Sequence, residues 1–388
     1  MKEKQIHVLE VLDCYYPKFD GPNMVITSYA NSYTKSGKCQ VEAVVPSFPG
    51  YTDNQIFDVK RVKSISIPEG YRLALPWIDG KIKKWLDQQD IDVIHIHSPF
   101  TMCHFFANYA KKRGIPTVFT FHTKFREDFE RTVKVKPLVN FLMNYLLSNM
   151  NRVDYALTVS YSSIDCMRDY GYKKEVEVIR NGTDLVYPTN AEELKKKVGQ
   201  MYTLSDDDFV MLSVGRLVEN KNLQLVVNAL KIVKEKGYSF KMMIVGAGPY
   251  EDDLRKMVQE NGLSDEVIFV GKVMDRELLS AYYLQAQLFC LPSTFDTASL
   301  APIEAAAMKL PSILVKGCST AEIIQEDENG LLAEETHEAW ANAIIRAIQD
   351  KELMQKLSQN AYKQLYRTWD DVAEEVYAFY QKIINQKK

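Results

Sequence analysis

Apolar and polar positions along the chain fall into two alternating patterns. In the first half, QIHVLEVLD (5–13), VEAVVPS (41–47), VIHIHS (93–98), PTVFTFH (116–122), YALTVS (155–160) and VEVIR (176–180) read as strands. Between them, NMVITSYANSYTKSG (23–37) and FFANYAKKRG (105–114) carry the apolar spacing of amphipathic helices. Strands of near-continuous apolar character separated by helices imply a parallel sheet covered on both faces. The pattern then restarts, with strands at FVMLSVG (209–215), FKMMIVG (240–246), VIFVG (267–271), LFCLPS (288–293) and PSILVKG (311–317). Helical segments at 220–237, 249–261 and 275–285 join them. Two successive α/β cycles predict two Rossmann-like domains in place of one large sheet.

The segment RNGTDLVYP (180–188) is the expected join, because Asn-Gly supplies a turn and Pro188 stops a regular element from running through. This sets domains at 1–183 and 184–369, a division that a chain of 388 residues readily supports. The tail TWDDVAEEVYAFYQKIINQKK (368–388) opens on a capping pattern and spaces Val372, Val376, Phe379, Tyr380 and Ile383 as one helical face. A helix over 370–388 with that much aromatic surface must pack on something, and one placement is back onto the first domain.

Composition narrows the class. The chain is 46% hydrophobic and 26% charged with a net charge of -3, and so slight an acidic balance gives no electrostatic footprint for a nucleic-acid partner. Six cysteines are scattered without a CxxC pair and read as reduced thiols. The N-terminal MKEKQIHVLEVLDCYY lacks a signal-peptide pattern, and no apolar run approaches the length of a membrane span. A cytoplasmic protein is expected, with peripheral contact on the inner face of a membrane left open.

Chemistry concentrates in the second half. FDTASLAPIEAAAMKLP (295–311) holds two acids, Asp296 and Glu304, with seven uncharged residues between them, two helical turns apart should one helix carry both. The segment follows a strand directly, so it belongs to the carboxyl edge of a parallel sheet, where ligands bind. Backbone N–H groups of Ser299 and Leu300 at the start of the helix suit a phosphate. Glu304 suits a ribose diol, and Asp296 a sugar beyond the diphosphate. The competing structural reading makes Asp296 a helix cap and Glu304 a member of a buried ion pair. A second loop, VGRLVENKN (214–222), shifts the balance, since it places Arg216 and Lys221 at the same edge, where two cations offset a diphosphate and stabilise it as a leaving group.

These segments resemble the retaining glycosyltransferases of family 4, which have the GT-B fold. The resemblance rests on VGRLVENKN, FKMMIVGAGP, VIFVGKV, the paired acids followed by EAAAMKLP, the NGLL turn at 329–332 and VIRNGTD, together with IDVIHIHSPF and TVFTFHTKF in the first half. It implies two Rossmann-like domains with parallel sheets facing across a cleft. By position it assigns Arg216 and Lys221 to the donor diphosphate, Glu304 to the ribose, Asp296 to the transferred sugar and the backbone at Ser299 and Leu300 to phosphate. Lys272 and Val273, in the loop GKVM (271–274), would lie near the base, His122 by the sugar and phosphate, and a loop at Gly21 would close over the donor. Three positions depart from the family pattern: Asp296 replaces the usual Glu, Ser299 a common Gly, and Pro22 the second Gly of the first loop.

Other signals weigh less. VGAGPYED lacks the third glycine of a dinucleotide fingerprint, since residue 251 is Glu, so its glycines read as a tight strand-to-helix turn. DDD (206–208) and DID (90–92) match a metal pattern by letter alone. His95 and His97 share a strand face without a Cys or carboxylate at ligand spacing, which argues against zinc; His97 with Ser98 suits a cleft lining and His95 a structural role. No metal and no cofactor beyond the sugar-nucleotide substrate is expected. KFREDFERTVKVKPLVNFLMNYLL (124–147) combines five basic residues with an apolar stretch, either a face for anionic lipid or a solvated turn before a core helix.

The expected activity is transfer of a hexose, glucose-like, from a UDP-sugar to a hydroxyl acceptor, with retention implied by the family alone. HIHSPF, FHTKF and the Asp-Thr pair at 296–297 look most like bacterial diacylglycerol glucosyltransferases. A cell-surface polysaccharide or small soluble acceptor is the alternative, and a catalytically silent sugar-nucleotide-binding subunit is the reading from a different class.

Overall fold

The computed structural model describes residues 5–18, 21–205 and 207–387. The chain divides into two units, Met1–Asn181 with Trp369–Lys388, and Gly182–Thr368.

In the first unit, β1 (Ile6–Val11), β2 (Cys39–Pro46), β3 (Asp58–Val62), β6 (Val93–Ile96), β7 (Thr117–Phe121), β8 (Tyr155–Thr158) and β9 (Val176–Val178) form a sheet in the order β3-β2-β1-β6-β7-β8-β9. Every pairing in it is parallel. A separate antiparallel ribbon joins β4 (Ser64–Ser66) to β5 (Arg72–Ala74). The chain order reverses between β1 and β6, whose register sets Glu10 opposite His95. Buried Ile94, Ile96, Phe106 and Phe119 belong to one core. The last helix, Trp369–Lys387, buries Val372, Val376, Phe379, Tyr380 and Ile383, the face its spacing predicts. It lies against the helix Gly21–Ser36, where Ser32 Oγ donates to Asp370 Oδ1 at 2.6 Å and Tyr33 OH to the Ala373 carbonyl at 3.3 Å.

The second unit contains β10 (Val210–Val214), β11 (Lys241–Val245), β12 (Val267–Gly271), β13 (Leu288–Leu291), β14 (Ser312–Val315) and β15 (Gly330–Ala333), in the order β12-β11-β10-β13-β14-β15. All pairs are parallel, and the order reverses between β10 and β13. That is the doubly wound arrangement in which ligands bind outside the carboxyl ends of the two strands at the reversal. The NGLL segment is not simply a turn: from Gly330 onward it is strand β15, parallel to β14. Gly330 is required there, because a Cβ would stand 2.8 Å from Ile324 Cδ1 and 2.9 Å from the Ser312 carbonyl. None of the six cysteines is joined in a disulfide among the described residues. Among the described residues no helix is long and apolar enough to cross a membrane.

Candidate active site

The loops leaving β10 and β13 flank the reversal in the second sheet. After β10 the chain passes Arg216, which is exposed, and enters a short 3-10 turn, Glu219–Lys221. The shape of this loop is fixed by a neighbour. Gly215 N donates to the Val245 carbonyl at 3.0 Å, Leu217 N to the Ala247 carbonyl at 3.1 Å and Tyr250 N to the Leu217 carbonyl at 3.0 Å. Backbone this close leaves no room for side chains: a Cβ on Gly246 would meet the Gly215 carbonyl oxygen at 1.8 Å, and one on Gly248 the Leu217 carbonyl oxygen at 2.1 Å. The glycines of VGAGP therefore clamp the loop that carries Arg216, a role beyond the tight turn read from their spacing.

Lys221 Nζ donates to Asp296 Oδ1 at 2.5 Å, so the two loops meet through their charged side chains. Asp296 is not on a helix with Glu304. The helix spans Ala301–Ala307 with Pro302 in its first turn, and Leu300, at its N-cap, makes no side-chain cap bond. Asp296 is thus neither its cap nor two turns upstream on it. The second oxygen, Asp296 Oδ2, is buried and has no hydrogen-bond partner among the described residues. An unmet buried acceptor calls for an external donor. Ser299 N donates to Thr320 Oγ1 at 3.4 Å, and Thr320 Oγ1 donates to the Asp296 carbonyl at 3.4 Å, which ties the loop to the segment after β14.

Glu304 is buried, and both its oxygens are engaged. Arg276 Nη2 donates to Oε1 at 2.8 Å and Tyr283 OH to Oε2 at 2.9 Å. Arg276 also pairs with Asp184. Burial opposes the Arg276 charge, but Glu304 and Asp184 outweigh it and hold its pKa above the ordinary value. Burial, reinforced by Glu304, drives the Tyr283 hydroxyl well above its own. Glu304 is thus the ion-pair member of the structural reading, while each carboxylate oxygen keeps a second lone pair for a diol. Arg276 and Tyr283 went unread in the sequence, since both lie on a helix, Arg276–Gln285, without a motif of its own. Nearby in the chain, Lys272 is exposed and Val273 half-buried against the core.

In the first unit, His122 follows β7 directly and is half-buried. Its Nε2 lies 2.9 Å from His97 Nδ1, and His97 Nε2 lies 2.7 Å from Glu10 Oε2. His95 is bonded on both nitrogens, at 2.6 Å to Tyr380 OH and 2.6 Å to Thr120 Oγ1. No carboxylate falls at ligand spacing from these histidines along the sequence; the β1–β6 register brings one, Glu10, from the neighbouring strand. Glu10, His95 and His97 crowd within 4.8 Å, and hydrogen bonds already use their facing atoms, so the cluster reads as a hydrogen-bond network. Ser98 acts elsewhere, donating to Asp13 Oδ2 at 2.7 Å, and Met102 N donates to Asp13 Oδ1 at 3.1 Å. Burial raises the Asp13 pKa to about 6 in spite of these bonds. Gly21 is not in a loop but opens the helix Gly21–Ser36, with Pro22 in its first turn; residues 19–20 lie outside the described residues.

The acidic triplets serve local structure. Asp92 Oδ2 accepts from His7 N at 2.9 Å and Asp208 Oδ2 from Ser205 N at 2.8 Å, while Asp206 lies outside the described residues.

Comparison with known proteins adds to this geometry. Residues 19–187 match the profile described as Glycosyltransferase Family 4, and residues 195–364 that of Glycosyl transferases group 1. The chain is 27% identical over 346 residues to the alpha-monoglucosyldiacylglycerol synthase of Streptococcus pneumoniae, covering 87% of this chain and 77% of that one. It is 25% identical to the Acholeplasma laidlawii protein of the same name, over 90% of each. Among solved structures, a sucrose-phosphate synthase from Thermosynechococcus elongatus superposes with a TM-score of 0.79 at 19% identity, over 99% of this chain and 100% of that one. Anabaena HepE in complex with UDP-glucose gives 0.76 at 17% identity, over 97% and 100%.

Proposed function

Since the chain belongs to the glycosyltransferases of the GT-B fold, with a family 4 domain followed by a group 1 domain, we propose that it transfers glucose or a similar hexose from a UDP-sugar to diacylglycerol. The observation that carries the donor side is the meeting of Lys221 with Asp296 at the strand reversal, beside exposed Arg216. In this reading Arg216 and the remaining donors of Lys221 hold the diphosphate and take up its charge as the sugar bond breaks. A well-placed donor to such developing charge contributes about 3 kcal/mol. The unmet oxygen of Asp296 accepts a hydroxyl of the transferred sugar, and the Glu304 carboxylate, oriented by Arg276 and Tyr283, accepts the ribose diol. Lys272 and Val273 border the base, Leu300 offers a backbone amide to phosphate, the amide of Ser299 being shared with Thr320 Oγ1, and His122, in the first unit, contacts a substrate hydroxyl. Departure on the same face as attack, with the leaving phosphate accepting the acceptor's proton, gives retention without a dedicated protein base or a metal.

The lipid acceptor is supported by the glycolipid synthases among the relatives and by one face of the first unit. The helix Lys136–Met150 buries Val139, Met143, Leu146 and Met150 but leaves Leu138 and Phe141 exposed, next to exposed Val135. Exposed Arg131, Lys134 and Lys136 flank them. Apolar side chains ringed by cations suit an anionic bilayer surface. Incubation with a panel of radiolabelled sugar nucleotides and diacylglycerol vesicles, followed by identification of the product, tests the proposal. A labelled monoglycosyldiacylglycerol is expected, and label transferred only to water-soluble acceptors would contradict it.

A further inference from the structure

Glu10, His97 and His122 form a path of hydrogen bonds from the middle of the first sheet to the end of β7. Burial lowers the pKa of His97 to about 3, and burial followed by the neighbouring His97 takes His95 and His122 well below their ordinary values. All three are therefore neutral, and a neutral imidazole has one donor nitrogen and one acceptor. Because Tyr380 OH donates to Glu10 Oε1, a proton on Glu10 sits on Oε2, and two proton arrangements then satisfy the path. With Glu10 ionised, its Oε2 accepts from His97 Nε2–H, His97 Nδ1 accepts from His122 Nε2–H, and His122 Nδ1 is left as a bare acceptor. With Glu10 protonated, its hydroxyl donates to His97 Nε2, His97 Nδ1–H donates to His122 Nε2, and His122 Nδ1 carries a proton.

We propose that Glu10 and His97 are positioning residues that decide which nitrogen of His122 carries its proton, and so whether His122 accepts from or donates to a substrate hydroxyl. A second branch holds Glu10 in place. Tyr380 OH, from the last helix, donates to Glu10 Oε1 at 3.3 Å and accepts from His95 Nδ1, while Thr120 Oγ1 donates to His95 Nε2. The groups that face Glu10 are His95 and His97 from β6, Tyr380 from the last helix, Tyr33 from the helix Gly21–Ser36 and Cys39 at the start of β2, while Tyr29 from that same helix stacks on His95. Burial keeps Tyr33 and Tyr380 protonated and pushes Cys39 to about 12. Burial pushes Glu10 to about 7 against the pull of His95 and Tyr380, which makes it the member of the set that changes charge near neutrality. His7 is also on β1 but at an odd position, facing the opposite side of the sheet, where it pairs with Glu42.

The consequence for a substrate rests on His122 belonging to the transferase site, whereas the placement of the proton does not. The test is nitrogen NMR of the full-length, ligand-free protein carrying 15N-histidine, at about pH 8.5 and about pH 5.5, on either side of the Glu10 transition. The His122 signals are assigned by their loss in His122→Gln. The expected result is a neutral His122 in both conditions, with Nδ1 bare at the higher pH and protonated at the lower. Glu10→Gln is expected to abolish this exchange of tautomers, and the wild-type comparison stands should that variant fold poorly. The same tautomer at both pH values, an imidazolium His122 within the range, or an exchange that persists in Glu10→Gln would each overturn the proposal.

Discussion

Lys221 and Asp296 meet at 2.5 Å, and their contact joins the two loops on either side of the strand reversal in the second unit. The lysine is held by one carboxylate oxygen, and the other oxygen has no partner among the described residues. In the proposed function the pair combines a cation for phosphate with an acceptor for a sugar hydroxyl. Asp296→Ala is expected to lower transfer on the order of 100-fold while changing UDP affinity only a few-fold, since the proposed contact to the sugar is lost while Lys221, released from its carboxylate partner, keeps its charge for the phosphate. Asp296→Glu, which restores the family's usual residue, is expected to keep activity or alter the choice of sugar. Transfer rates with several UDP-sugars, set beside calorimetric UDP binding, separate these effects; equal losses in both would remove Asp296 from the sugar.

Gly248 holds the Arg216 loop through contact with the Leu217 carbonyl, which a Cβ would approach to 2.1 Å. Gly248→Ala must displace that carbonyl, at a cost of about 3 kcal/mol or more. Urea unfolding of the variant is expected to show this loss together with weakened UDP binding. Unaltered stability would mean that the loop is not clamped in this way.

Phe141 is 67% exposed on the helix that follows the basic turn. Phe141→Asp and Lys134→Glu are each expected to reduce co-sedimentation with anionic vesicles several-fold, and added salt to mimic the second change but not the first. Binding to vesicles that ignores both substitutions would move the membrane face elsewhere.

Glu10 has its folded pKa raised from 4.5 to about 7, chiefly by burial. A raised pKa means the folded state favours the proton, so the stabilisation is complete below about pH 4 and is lost as pH rises through about 7. The loss amounts to about 3 kcal/mol. Glu10→Gln lacks this titration, so its stability relative to the parent should rise by about that amount between pH 4 and about pH 8 in urea unfolding followed by circular dichroism. A difference that stays flat with pH would show that Glu10 does not titrate in this window.

Long elements were legible because their periodicity is strong. The strands of continuous apolar character and the face of the last helix were all readable from spacing, whereas β3 was not, because DVKRV carries charge at three of its five positions and is only partly buried. Strand β15 was hidden by its opening glycine, which the packing of Ile324 and Ser312 demands. At the site, charged residues on loops beside strands could be picked out one by one, but their partners could not. Arg276 and Tyr283 reach Glu304 from another helix, and Glu10 reaches His97 across a parallel register, so neither relation leaves a trace in local spacing. The glycines at 246 and 248 were visible, yet the backbone they admit comes from a different strand end.

Calorimetric titration of UDP into the parent protein and into the Arg216→Ala/Lys221→Ala double variant tests the donor site most directly, with circular dichroism used to establish that both are folded. Charge-assisted hydrogen bonds contribute about 1.5–3 kcal/mol each, so removing both side chains should weaken binding by on the order of 100-fold or more. An unchanged affinity in a folded double variant would contradict the placement of the diphosphate at the β10–β13 reversal.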